Sequence, residues 1–578
     1  GSDRIYETYT RNRALSAVAN PCVGLQTADN ARFLRSWFEV DLQKIGFNYS
    51  NAAEAARDKK KWIPYNKGGN KRRWYGNQEL LVNWENEGAD IKAFKGAVIR
   101  NPSYYFKPCI SWGLISGPLF RYFPQGFIFD VQGMSCFYDS DEELHREIAW
   151  QNTKVFGEVA KIISPAGHIQ IGEIGKMPTC DSRPKNIETF SLKNISIAKL
   201  DWNAHETSWD FQRNELLTID VETYADNIQY QIEKHRQATG EELCIDPAAP
   251  ELDSLAWRVE QYKQKWEKLF MQLHANEEEL NRQFIDIYGL QDELTPDVPL
   301  NEITILQKGE IEIVNGEIVW NDAVIMKQLI SYLVGCFMGR YSVDKPGLII
   351  ANQHQDLDAL GVKVEGIDNG AEGTLLIDDD GIVPILEGEY FPDDMTVRIE
   401  GALKAIFGEA NFYQNLNYLE EKLGKPLREY LFKDFYADHI DGKMYQKRPI
   451  YWLFSSKMGD KKKKGYFKAL VYMHRIESDT LSKLHADYVA PYIDKIEQQK
   501  LEAEDLAMRD DLNQSQRNKA NKLAAEYAIQ LREVKEFATI LAQMSTQRLT
   551  IDLDDGVRIN YPKYYPLVEP IKGLDKSE

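Results

Sequence analysis

The residues best suited to chemistry lie between Arg57 and Asn77, in the run RDKKKWIPYNKGGNKRRWYGN. Eight Lys/Arg residues face a single acid, Asp58, between Arg57 and Trp74. Lys59, Lys60, Lys61, Lys67, Lys71, Arg72 and Arg73 can neutralise phosphates and release counterions, and the interleaved Trp62, Tyr65, Trp74 and Tyr75 can stack on exposed bases. Asn66 and Asn77 can read a base edge or cap a turn, and Gly68-Gly69 permits a turn that bulkier residues resist. The same composition also suits a solvated loop whose tryptophans pack inward. A second cationic run, Lys461 to Lys464, suits either a DNA contact or a charged hairpin tip.

Catalytic chemistry is far less visible. Asn101-Pro102-Ser103-Tyr104 is one residue away from the Asn/Asp-Pro-Pro-aromatic device that holds a flipped adenine, but it also reads as a strand entrance with Pro at its edge. Gly366 to Gly373 (GIDNGAEG) is the nearest approach to a glycine-rich cofactor loop, and a short glycine motif alone is weak. Glu87, Asp90 and Lys92 form an acid–lysine triplet of a kind common by chance. The nine histidines pair with no Ser or Cys in a hydrolase motif, and no Walker loop occurs. The six cysteines form no Cys-x-x-Cys pair, which argues against a disulfide framework or structural zinc and for a reduced cytosol.

Several elements must position these residues. Leu80 to Trp84, Phe127 to Phe129 and His168 to Ile171 read as strands, with one helix expected over 141–163 behind a Ser140 cap. Leu255, Val259, Tyr262, Trp266, Leu269 and Leu273 step at helical spacing, and Leu280, Phe284 and Ile287 resume it after a break. Lys447 to Phe454 and Tyr466 to Tyr472 read as two strands flanking the lysine run. Residues 478–545 predict a charged helical hairpin or coiled coil, and the tail from Leu549 to Pro566 reads as strand-like.

A chain of 578 residues with 43% hydrophobic content predicts three to four packed domains, and no apolar stretch approaches the ~20 residues of a bilayer span. Net charge of −19 excludes a surface coated for nucleic acid and leaves only local patches for that role. Gly1-Ser2 reads as the remnant of a cleaved tag, with no signal peptide after it.

The string Trp62-Ile-Pro-Tyr-Asn-Lys-Gly-Gly, its continuation Arg72-Arg-Trp-Tyr-Gly-Asn77, and Val82-Asn-Trp-Glu-Asn86 resemble the PglX methyltransferases of BREX phage-defence systems. The resemblance continues through Gly24 to Asn30 with Arg32-Phe33, Phe120 to Asp130, Glu206 to Phe211, Glu279 to Asn281 through Ile287 to Pro296, Gly339 to Gly347 and Lys447 to Ser456. It implies an adenine-N6 DNA methyltransferase using S-adenosylmethionine, with its catalytic domain N-terminal to the part matched. The fold expected is α+β multidomain: a junction over 1–50, a β-rich target-recognition domain over 51–200, a helical spacer over 201–300, a mixed α/β region over 301–475, and long C-terminal helices over 476–578. This chain itself carries no catalytic or cofactor-binding motif. The implied partners are double-stranded DNA, the chain's own methyltransferase domain and other BREX proteins, with no membrane and a cytoplasmic setting. The lysines and arginines from Lys59 to Arg73 would contact phosphates, and Arg100, Lys107 and Arg121 are candidate base readers. A rival reading makes residues 200–578 a docking platform for other defence proteins.

Overall fold

The computed structural model describes residues 3–69, 71–113, 119–165, 168–180, 182, 186–245, 248–364 and 375–574. The glycine run Gly366 to Gly373 lies outside them. The architecture is mixed α and β, as expected from sequence.

Two four-stranded sheets build the N-terminal module. One runs in the order Ala19–Cys22, Met134–Tyr138, Cys109–Trp112, Arg121–Phe123, with every pair antiparallel. The other runs Leu34–Ser36, Leu80–Asn83, Trp62–Asn66, Ile128–Phe129, and only its last pair is parallel. The sheets therefore draw strands from before residue 51. All five residues from Trp62 to Asn66 are buried, because this strand is internal to its sheet and covered on both faces.

Four local expectations need correction. The helix expected over 141–163 is two helices, Asp141–Gln151 and Lys154–Ile163. Asn152 turns both amide atoms onto the backbone of Phe120, and Thr153 caps the second helix through Phe156 N. The run from His168 is not a strand, since a capping box at Gln170 and Glu173 starts the short helix Ile171–Ile174. The expected break after Leu273 is absent, and one helix of 34 residues spans Leu255–Tyr288, about 50 Å long. Ser254 caps its start, and Gly289 ends it at a φ of 67°. The tail from Leu549 is helical turns rather than strand, because Asp552 accepts from Asp554 N and opens the turn Leu553–Asp555, followed by the helix Gly556–Asn560.

The C-terminal half follows its sequence pattern more closely. Tyr451–Ser455 and Lys468–Tyr472 pair antiparallel, with Ile382–Pro384 added outside the latter. The helices Ala490–Met508 and Gln514–Ser545 form the expected hairpin. One apolar cluster extends from Ile5 to Leu574, and a second, smaller one lies within the N-terminal module. Among the described residues no helix is long and apolar enough to cross a membrane.

Candidate nucleic-acid interface

The cationic run from Arg57 to Asn77 does not form an open array. Tyr65 and Asn66 are buried in the central strand: Tyr65 donates to Asp130 Oδ2 at 2.6 Å, and Asn66 Nδ2 donates to Ser111 Oγ at 2.7 Å. Burial and Asp130 together push the Tyr65 phenol far above its usual range. Lys67 also reaches Asp130, at 3.2 Å. Gly68 and Gly69 turn the chain with φ of 81° and 114°. Past that turn, Arg72 is buried against Asp201 at 2.7 Å and also donates to the carbonyls of Tyr75 and Ala198. Glu277 on the long helix accepts from Arg73 Nη1 at 2.8 Å and from Trp74 Nε1 at 2.7 Å. Trp74 holds a φ of 70°, a strained conformation for a tryptophan that these contacts over-determine.

The expectation of a solvent-facing array is therefore corrected for eight side chains. Trp62, Tyr65, Asn66, Arg72, Trp74, Tyr75 and Arg121 are buried, and Arg73 is paired to Glu277. Arg72, Arg73 and Trp74 join the N-terminal module to the helices Ile187–Asn203 and Leu255–Tyr288, Tyr65 and Asn66 hold the module together internally, and Trp62 meets Asp554 of the C-terminal tail. Arg121 has no surface for base reading; its Nη1 donates to Arg72 O at 3.1 Å, and burial lowers its pKa to about 10. Lys59, Lys71 and Lys107 are exposed. Lys60 donates to Gln43 O at 2.6 Å, Arg100 to Gln26 Oε1 at 3.3 Å, and Asn77 packs beside Gly69.

A different set of cations gathers in space. Between the short helix Asn30–Phe33, the edge of the second sheet and the C-terminal tail runs a groove with a cavity of about 710 Å³. Arg32, Arg35, Lys61, Arg558 and Lys563 line it, opposite Asp552, Asp554 and Asp555. A neighbouring cavity of about 350 Å³ shares Arg35, Asp555 and Arg558 and adds Lys67 and Arg448. Asp554 organises the floor: it accepts from Lys44 Nζ at 2.9 Å, Lys61 Nζ at 3.0 Å and Trp62 Nε1 at 2.9 Å. Burial raises its pKa, but those three hydrogen bonds outweigh it and hold the carboxyl below its usual range. Arg35 donates to Asp554 O and Ala31 O, Lys563 donates to Asn560 Oδ1 at 2.8 Å, and Arg32, Arg558 and Lys563 are exposed at the rim. Sequence reading named Lys61 and Lys67 but missed Arg32, Arg35, Arg448, Arg558 and Lys563, because the set comes from opposite ends of the chain; for Arg32 and Arg448 a signal lay in their place inside or beside the family-like strings.

Among the described residues, Asn101 to Tyr104 and Asp378 to Asp380 do not assemble a catalytic centre. Asn101 Nδ2 donates to Val23 O at 2.9 Å, and the Tyr104 ring packs on Phe137 at 4.7 Å, so this tetrapeptide is not arranged to hold a base. Its Pro102 opens a 3-10 turn rather than a strand. Asp378, Asp379 and Asp380 bring carboxylates together, but Asp378 is paired with Arg398 at 2.8 Å and accepts from Gly381 N, and Asp380 accepts from Ile382 N and Tyr488.

No family model matches the chain. It is 34% identical over 581 residues to the adenine-specific methyltransferase PglX of Lacticaseibacillus casei (strain Zhang), a match covering 96% of this chain and 43% of that protein. It is 31% identical over 566 residues to the adenine-specific methyltransferase BrxX of Escherichia coli O9:H4 (strain HS), covering 94% and 42% respectively. The chain is related to adenine-specific methyltransferases. It spans less than half the length of the curated relatives it matches.

Proposed function

We propose that this chain recognises double-stranded DNA on behalf of an adenine-N6 methyltransferase that marks host DNA in BREX-type phage defence. S-adenosylmethionine and the flipped adenine would be held in the part of the relatives' length that this chain does not match, in a cytoplasmic setting. The carrying observation is the groove: in a chain of net charge −19, its cations outnumber its acids and its rim cations are exposed. Arg32, Arg558 and Lys563 would set the register on phosphates. Lys59, Lys71 and Lys107, with Arg100 and Asn77, remain the candidates for further phosphate contact and base reading from the loops of the same module.

The test is binding of the full chain to a short duplex across a salt series, comparing it with Arg32→Glu/Arg558→Glu. The expected result is binding that weakens steeply with salt and falls at least about tenfold in the double variant. No binding at low salt, or equal binding by the double variant, rejects the reading.

A docking role for the C-terminal part has its own observation. Leu501, Leu506, Met508 and Leu523 are exposed near the far end of the helical hairpin, an unusual concentration of apolar surface for charged helices. Deleting the hairpin tip should then abolish association with another BREX protein and leave duplex binding intact.

A further inference from the structure

Two cavities away from the groove share a wall made by Lys308 and Lys443. The smaller, about 160 Å³, is walled by Val324, Tyr430, Phe435, His439 and Met444. The larger, about 580 Å³, is a polar cleft reached by Lys71, Asn77, Asn301 and Gln446. Joined, they fall in the size range of small-molecule sites, and they have the usual composition of one: an apolar aromatic end and a few convergent polar groups.

His439 fixes the chemistry of the aromatic end. Its Nε2 accepts from the backbone N–H groups of Ile450 and Tyr451, both at 3.2 Å. An imidazole that accepts at Nε2 is neutral and carries its proton on Nδ1. Burial, reinforced by Arg340, agrees, pushing the pKa down to about 3. The Nδ1–H donor is buried and has no acceptor among the described residues, a costly state unless something else accepts from it. Phe435 and Tyr451 lie nearly parallel to the ring, with centroids at 6.1 and 4.9 Å, so the imidazole is locked in orientation.

The cleft supplies the opposite character. Lys308 donates to the carbonyl of Lys443 at 2.7 Å, and Lys71 and Lys443 are exposed with no ion pair among the described residues. Two of the acids nearby are already matched. Asp201 is paired with Arg72, and Glu310 with His205, whose two ring nitrogens face Asp201 O and Glu310 Oε1 and so both carry protons. Glu79 is held by Gln446 at 3.0 Å, and at the aromatic end Asp438 is paired with Lys327 at 3.0 Å while Asp441 accepts from Lys443 N at 2.8 Å.

We propose that the joined cavities bind a nucleoside phosphate, with the base among Tyr430, Phe435 and His439 and the phosphates on Lys308, Lys443 and Lys71. The His439 Nδ1–H would be met by a ring nitrogen or carbonyl of the base, and the lysines supply point charges for the phosphates. The site lies apart from the groove around Asp554 and shares only Lys71 and Asn77 with the duplex candidates, so its occupancy would be a small-molecule input to a DNA-recognition protein.

Isothermal titration of the full chain with each of the four ribonucleoside triphosphates, the matching nucleosides and inorganic tripolyphosphate tests this. One triphosphate should bind at one site per chain, at least about tenfold tighter than its nucleoside or tripolyphosphate. Lys443→Glu should weaken the triphosphate by about tenfold and leave the nucleoside unchanged. Val324→Trp, which fills the aromatic end from a half-buried position, should abolish nucleoside and triphosphate binding alike. If that variant fails to fold, Lys443→Glu, at an exposed position, decides alone. No triphosphate binding at about 1 mM, tripolyphosphate as tight as the triphosphate, or binding indifferent to Lys443→Glu overturns the proposal. Displacement of the triphosphate by a single-stranded oligonucleotide also overturns it, assigning the cleft to a nucleic-acid end.

Discussion

The run from Arg57 to Asn77 and the groove around Asp554 both collect cations, and they use them in opposite ways. In the run, the cations are adjacent in sequence; Lys67, Arg72 and Arg73 are consumed inside the protein by Asp130, Asp201 and Glu277, Lys61 and Lys67 reach the groove, and Arg57, Lys59 and Lys71 stay exposed. In the groove they come from the start, the middle and the end of the chain, and several remain exposed at the rim. Density of charge along a sequence measures what a segment can neutralise. Only the fold decides whether the partner is a phosphate or an internal carboxylate.

The largest expected effect separates these roles directly. Arg72→Ala leaves Asp201 buried and unpaired, and breaking a buried pair in this way costs about 3–5 kcal/mol. Urea unfolding should show that loss, while duplex affinity per folded molecule stays within about twofold. A stable variant with weakened DNA binding would return Arg72 to the phosphate-contacting set and break the comparison.

Much of the fold was legible because it rests on local periodicity. The face from Leu255 to Leu273, the strands around the lysine loop and the C-terminal helical hairpin follow directly from apolar spacing. The errors fall where side chains compete with the backbone, as at Asn152-Thr153, Gln170 and Asp552, since a cap or turn changes the outcome without changing the hydrophobic pattern. The tryptophans of the cationic run were legible as either stacking platforms or inward packing. Their partners, Asp554 and Glu277, lie hundreds of residues away, and no local pattern selects between the two. The groove was illegible for the same reason.

Acid should act on the interior and spare the groove. His439 and His474 are buried, and burial with the Arg340 charge pushes each down to about 3. Their folded pKa lies below the unfolded value of about 6.5, so the stability they contribute is present above that value and lost as pH falls through it. One unit below it, each costs about 1.4 kcal/mol. His205 opposes them: burial lowers its pKa but Glu310 outweighs this and raises it, so its contribution is present below about 6.5 and lost as pH rises. His439 and His474 together lose about 2–3 kcal/mol between about pH 7 and 5.5. They are opposed by His205 and by the buried carboxyls of Glu206 and Asp378, which burial raises to about 7, so the histidines' loss is read by urea unfolding as the difference between this chain and a His474 variant. His474→Asn should remove about half of that loss. Duplex affinity should barely move over the same range, because the groove cations are Arg and Lys, which do not titrate there. A His474→Asn variant whose stability changes with pH as the parent chain's does, or DNA binding that follows pH, would contradict this division.

A smaller effect sharpens the groove itself. Each phosphate contact removed should lower the slope of log affinity against log salt by about 0.9. Arg32→Ala/Arg558→Ala should therefore flatten it by about 2, and Lys59→Ala/Lys71→Ala by a comparable amount only if those lysines also meet the duplex. Equal flattening by both pairs would mean that DNA runs from the groove onto the exposed remainder of the cationic run.

The smallest effect concerns the lysine loop, where sequence density is highest and the structure again divides the charges. Lys463 pairs with Glu536 at 2.7 Å and Lys464 with Glu387 at 2.6 Å. The loop backbone is held by Glu533, which is buried and accepts from Ser456 Oγ at 2.6 Å and from the N–H groups of Lys464, Gly465 and Tyr466 at 3.1, 2.9 and 2.9 Å. Lys461 and Lys462 alone project outward with no ion pair among the described residues. Because Glu533 fixes the turn without them, Lys461→Ala/Lys462→Ala should change stability by less than about 0.5 kcal/mol. If the loop is a charged tip, duplex affinity at moderate salt will also shift by less than about twofold, against the larger loss expected from the groove pair. A salt slope reduced by about 2 in the lysine variant would instead extend the DNA path from the groove to the hairpin, and the distinction between dense and dispersed charge would then hold only for the N-terminal module.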